Sequence, residues 1–117
     1  MKRNSPERDL QVALFKWIRS HSDPIWHAIH ASGNGNYKHP STARKAKEEG
    51  LVSGVWDIFI PLPKNNFGGL YIECKSNSGR LTKEQKIFKE TLENYYSFVV
   101  VRELEEAINI IEGWING

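Results

Sequence analysis

Gly54-Val55-Trp56-Asp57-Ile58-Phe59-Ile60 and Gly69-Leu70-Tyr71-Ile72-Glu73-Cys74-Lys75 are apolar segments on either side of Pro61-Leu62-Pro63-Lys64-Asn65-Asn66-Phe67-Gly68. The intervening stretch is made of turn-forming residues, so the pair reads as two strands of a hairpin. In the second strand Leu70, Ile72 and Cys74 alternate with Tyr71, Glu73 and Lys75, which puts Glu73 and Lys75 on one face. A hairpin centred near Asn65 sets Asp57 opposite Glu73. Opposed side chains have Cβ atoms about 4.5–5.5 Å apart. A carboxylate in so apolar a segment costs several kcal/mol, roughly as any buried ion does, unless something pairs with it.

Two facing carboxylates repel unless a cation bridges them. With a lysine beside them they are the components of metal-assisted phosphodiester hydrolysis. The competing reading is a cross-strand salt bridge of Lys75 with Asp57 or Glu73. An acid-x-Lys triplet is a weak signal alone: Glu84-Gln85-Lys86 is a second one, on what reads as a solvated helix surface.

Outward from the hairpin, Ser5-Pro6-Glu7 has the form of a helix start. Leu10, Ala13, Leu14, Trp17 and Ile18 follow at helical spacing, with Glu7 and Gln11 one turn apart beside that stripe. After the Ser22-Asp23-Pro24 break, residues 25–31 read as a strand and residues 32–40 as a loop. Ser41 to Glu49 reads as a short basic helix ended by Gly50. Thr82-Lys83-Glu84-Gln85 matches a capping box opening a helix with Ile87, Phe88 and Leu92 inward. Ser97 to Val101 reads as a buried strand, and Glu103 to Trp114 as a last amphipathic helix. The expected order is α-β-α-β-β-α-β-α. It makes one α/β domain over residues 1–117: a mixed four-stranded sheet flanked by helices, with a parallel crossover from residues 70–75 to 97–101.

Composition fits a globular domain, with 39% hydrophobic and 26% charged residues in 117. No apolar run approaches the length of a membrane span, and no apolar segment follows the basic N-terminus as in a signal peptide. The single cysteine excludes an internal disulfide and fits a reducing cytoplasm. The net charge of +2 conceals an asymmetry: residues 1–102 carry 16 basic against 10 acidic residues, and all four charges beyond them are acidic. Such a balance suits a polyanionic partner. Tyr37, Lys38, Arg44, Lys45 and Lys47 are the candidate phosphate-gripping residues, with an ordinary basic surface as the alternative. Gly33-Asn34-Gly35 lacks the third glycine of a dinucleotide loop and the Gly-Lys-Ser/Thr of a P-loop, so no nucleotide cofactor is expected. His21 and His39 fall in connecting segments and read as solvated.

Asp57, then Glu73-Cys74-Lys75, in this order of elements resembles the PD-(D/E)XK nuclease fold. Gly54 to Ile60, Leu70 to Ser76, Gly79 to Gln85 and Val99-Val100-Val101 together look like its VRR-NUC branch, the virus-type replication-repair nucleases, from Glu7 to about Ile111. Trp56 departs from the proline the family often has before the aspartate, and Tyr95-Tyr96 from its Gly-Tyr. The resemblance implies that Asp57 and Glu73 are metal-binding carboxylates, with the Cys74 backbone carbonyl as a further ligand. It implies that Lys75 orients or activates the water or neutralises the phosphate. Gln85 would line the site and Glu7 would complete it. Two residues have competing roles: Gln85 as the capping-box partner of Thr82, and Glu7 as a first-turn acid favoured by the helix dipole.

The expectation is thus a Mg²⁺- or Mn²⁺-dependent endonuclease for branched DNA in the cytoplasm of a bacterial or phage-infected cell. A homodimer resolving four-way (Holliday) junctions leads. A flap-type repair nuclease, a non-cleaving nucleic-acid-binding module and a salt-bridged structural domain are the alternatives.

Overall fold

The computed structural model describes residues 5–33 and 40–117, with side chains from 44 onward in the second stretch. Tyr37, Lys38 and His39 therefore lie outside the described residues. The elements are α1 (Pro6–Arg19), α2 (Pro24–Ala28), β1 (His30–Ala31), α3 (Pro40–Glu48), β2 (Ile58–Ile60), β3 (Leu70–Cys74), α4 (Lys83–Leu92), β4 (Ser97–Val101) and α5 (Leu104–Asn116). The sheet order is β1-β2-β3-β4, antiparallel except for the parallel β3–β4 pair. A mixed four-stranded sheet flanked by helices is what the sequence predicts. Among the described residues, no helix is long and apolar enough to cross a membrane.

One element corrects the expected order. Residues 25–31 do not form one strand: Pro24–Ala28 are helical and only His30–Ala31 pair with β2. The order is α-α-β-α-β-β-α-β-α. Asp23-Pro24 is a helix start of the same kind as Ser5-Pro6, with the Asp23 carboxylate accepting from the Ile25 N–H at 3.1 Å. Tertiary contacts then hold the short helix. The Arg19 guanidinium donates to the Trp26 and Ile29 carbonyls at 3.0 and 2.7 Å. Trp26 is buried, and His21 stacks on it at 3.6 Å, so His21 is half-buried and not solvated.

The register of the hairpin decides what faces what. Asn65 and Asn66 both adopt positive φ, 55° and 69°, and Lys64 and Phe67 exchange backbone hydrogen bonds across them. That is the geometry favoured at a two-residue hairpin turn. Three residues, Pro61 to Pro63, lead to this turn, whereas two, Gly68 and Gly69, leave it before Ile60 meets Leu70. The extra residue shifts the pairing by one position. Ile58 consequently faces Ile72, and continuing that register sets Asp57 against Glu73 and not against Cys74.

The two faces of the sheet are packed differently. Leu14 and Ile18 of α1 and Ala107 and Ile111 of α5 share one buried cluster with Ile58, Ile60, Leu70, Ile72 and Cys74. The other face is aromatic: Tyr71 stacks on Phe98 at 5.2 Å, lies 4.5 Å from Phe59 and meets Phe88 of α4 edge-on. Each such aromatic pair contributes about 0.5–1.5 kcal/mol beyond its buried area. α4 carries no fully buried residue, so its position depends heavily on these rings and on specific hydrogen bonds.

Candidate active site

Asp57 lies in a bend immediately before β2, one residue outside the strand that the sequence suggests for it. Its carbonyl accepts from the Ser32 N–H at 2.8 Å, which ties the bend to the end of β1. The Asp57 carboxylate accepts from the Cys74 N–H at 3.0 Å. In return, the Asp57 N–H donates to the Glu73 carboxylate at 3.1 Å. Each acid is therefore fixed by the backbone beside the other. Glu73 is only 3% exposed, the one charged residue in the described interior.

Lys75 is one alternation further along β3, with Nζ 3.4 Å from Glu73 Oε2. The Lys75 N–H donates to the Val101 carbonyl, which holds it at the end of the parallel pair. Gln85 reaches Glu73 from α4, donating through Nε2 to Oε2 at 2.7 Å. Its Oε1 meanwhile accepts from the Thr82 N–H at 2.9 Å and completes the capping box. The two roles that compete in the sequence are both filled, because the side-chain amide has a donor end and an acceptor end. The Gln85 backbone carbonyl accepts from Trp56 Nε1 at 3.0 Å, so the residue preceding Asp57 also braces Gln85.

The electrostatics follow from one buried and one half-buried acid beside one ammonium. Burial raises the Asp57 carboxyl above its ordinary value, against the Cys74 N–H and Lys75, which lower it. Glu73 is pushed up to about 7, first by burial and then by the Asp57 charge, with Lys75 opposing. The Cys74 thiol, buried on the opposite side of β3, is raised to about 12 by burial and the neighbouring carboxylates, and is no nucleophile. The site thus lacks one positive charge, and its donors are hard carboxylate oxygens. That set suits Mg²⁺ or Mn²⁺, which take one or two carboxylates together with waters and phosphate oxygens. Among the described residues no three His, Cys, Asp or Glu side chains group as a metal cluster, so a cation there would depend on the acid pair and backbone or substrate oxygens.

The pair opens into a cleft of about 790 Å³ between α1 and the ends of β1 and β3. Glu7 and Gln11 line it, so the helix-borne acid faces the pair, with its charge acting on Asp57. Arg44, Lys45 and Lys47 are exposed on α3 and do not line the cleft. Sequence reasoning missed Arg8, Val12, Phe15, Lys16 and Arg19 as lining residues. Their signal is the spacing of three and four along α1, but it becomes meaningful only once α1 lies against β3.

The fold and this acid pair define a class: an α/β domain of PD-(D/E)XK type. No family model and no curated protein matches the chain. Among solved structures, one described as "VRR_NUC domain protein" superposes with a TM-score of 0.76 and 25% sequence identity, over 97% of this chain and 91% of that one. The chain is built like that VRR_NUC domain protein.

Proposed function

We propose that this domain is a Mg²⁺- or Mn²⁺-dependent endonuclease that hydrolyses phosphodiester bonds in branched DNA, working in the cytoplasm. The observation that carries the reading is the reciprocal bonding of Asp57 and Glu73, which line an open cleft with Lys75 and Gln85 on Glu73. A structural ion pair needs one acid for one lysine. Here burial raises both carboxyls and the Asp57 charge raises Glu73 further, a cost that a divalent cation would relieve.

Asp57, Glu73 and the Cys74 carbonyl would hold the cation. When bound it supplies Lewis-acid charge to the phosphate and acidifies water. Lys75 orients the attacking water or neutralises the phosphate, Gln85 fixes the rotamer of Glu73, and Glu7 completes the cleft wall. Charge and shape, not base reading, set the preference, since the chain has no base-reading motif such as a zinc finger. A homodimer, with two sites related by a two-fold axis, would match the symmetry of a four-way junction.

The test is a panel of labelled four-way junction, flap, single-strand and duplex DNA with Mg²⁺, Mn²⁺ or EDTA, alongside a measurement of solution mass. Paired symmetric nicks in the junction by a dimer are expected. Lys75→Ala should lower cleavage by about 10²–10⁴-fold, the usual scale of acid–base assistance, while leaving junction binding intact. Tight binding without cutting would move the domain to the binding-module reading, and full activity in Lys75→Ala would remove that residue from the chemistry.

A further inference from the structure

We infer that α1 forms the wall of a groove that holds an unpaired DNA strand and leads it to the Asp57–Glu73 pair, an inference that rests on the nuclease reading above. The cleft is lined by the acids Asp57, Glu73 and Glu7 and, along α1, by the cations Arg8, Lys16 and Arg19. Arg8 and Lys16 are exposed and appear in no hydrogen bond or ion pair through their side chains among the described residues. Arg19 differs: its guanidinium is committed to the Trp26 and Ile29 carbonyls and lies 5.1 Å from the Phe15 ring centre. Arg8 and Lys16 are therefore the cations available to phosphates.

They are eight residues apart on one helix, about 12 Å at 1.5 Å per residue. That span lets the two cations reach different phosphates of one strand. Between them Val12, 40% exposed, and Phe15, half-buried, line the cleft beside Gln11. Val12 is thus one of the exposed large hydrophobics, on a helix whose buried residues are Leu14 and Ile18. Alternating cationic and apolar or aromatic surface is how proteins hold single strands, phosphates on the charges and base faces on the rings. At about 790 Å³ the cleft has the size of a small-ligand site, with room for a nucleotide or two. The base of the cleft is the acid pair, so a strand on α1 has its backbone beside the proposed cation site.

The test measures binding apart from cleavage. Fluorescence anisotropy would follow a short labelled single-stranded oligonucleotide and a blunt duplex of the same sequence, with Ca²⁺ replacing Mg²⁺, over a range of salt. Against wild type, Arg8→Ala/Lys16→Ala should lose single-strand affinity about tenfold or more and flatten the salt slope by about 1.4, or 0.7 per lost contact. Val12→Ser should weaken single-strand binding several-fold without changing that slope. Duplex binding should change far less in both. Arg44→Ala/Lys45→Ala, on α3, is the comparison, and thermal melts confirm folding.

Unchanged single-strand binding in the α1 variants would overturn the inference, as would an equal loss for duplex or a loss confined to the α3 variant. Cleavage of the DNA panel is scored in parallel. If the α1 variants lose single-strand binding but wild type cuts nothing with Mg²⁺ or Mn²⁺, the groove stands and the nuclease reading falls. If wild type cuts and the α1 variants bind normally, the groove falls alone.

Discussion

Gln85 concentrates the residue-scale chemistry, because one amide closes the start of α4 and holds Glu73. Substitutions separate the two tasks. Gln85→Glu keeps an acceptor for the Thr82 N–H but replaces the donor to Glu73 with a second carboxylate. Its cap on α4 should survive and any loss in melting temperature should come from the new contact with Glu73, while its cleavage rate falls at least about tenfold, the scale of one hydrogen bond to a charged group. Gln85→Leu removes both and should lose about 1 kcal/mol of stability as well. Equal melting and equal cleavage in all three proteins would remove Gln85 from the site. Glu73 supplies a second prediction, in pH. Its folded value of about 7 lies above its ordinary 4.5, so the folded chain binds more protons between the two. Its contribution to stability is complete below that window and is lost as pH rises through about 7. Thermal melts without metal should show wild type losing stability relative to Glu73→Gln across the window, and Mg²⁺ or Mn²⁺ should reduce that loss. Parallel curves would mean that Glu73 is not held as described.

At the scale of elements, the placing of α4 is the sensitive point. Gly54 has φ of +86°, and a Cβ there would overlap the backbone of Glu84 in the first turn of α4. Gly54→Ala should therefore cost about 1–3 kcal/mol, through backbone strain and displacement of the helix. Because Trp56 and Glu73 both bond Gln85, the same shift should lower cleavage in protein that remains folded. A denaturant midpoint and a cleavage rate both at wild-type level would show that α4 does not depend on this close approach. The turn after Lys75 has a brace of its own, the Arg102 guanidinium donating to the Ser76 and Gly79 carbonyls. Elements with local signatures were legible in the sequence: the hairpin from Asn65-Asn66 and its alternation, α4 from its capping box, and the parallel crossover from the helix between β3 and β4. α2 was not legible, since five residues show no periodicity and its hold comes from Arg19 and the buried Trp26. Gln85 was readable as a cap, but its free amide end meets Glu73 only through tertiary packing. The basic wall of α1 was hidden for the same reason.

Across the whole molecule, the sheet divides the work. An aliphatic face packed by α1 and α5 gives a rigid base, and an aromatic face under α4 carries the helix that holds Glu73. The acid pair lies where these layers meet the ends of β1 and β3, open to the cleft beside α1. The fold is shared over 97% of the chain with a VRR_NUC domain protein. In the proposed function, Asp57 and Glu73 together make cleavage depend on a divalent cation. The most direct measurement of that dependence is single-turnover cleavage of a labelled four-way junction by wild type and by Glu73→Gln, titrated with Mn²⁺ and reversed with EDTA, with junction binding measured in Ca²⁺. The predicted result is metal-dependent nicking by wild type, loss of nicking in Glu73→Gln, and binding by both. Cleavage that persists in EDTA, or that survives the loss of the Glu73 carboxylate at the wild-type rate, would contradict the claim.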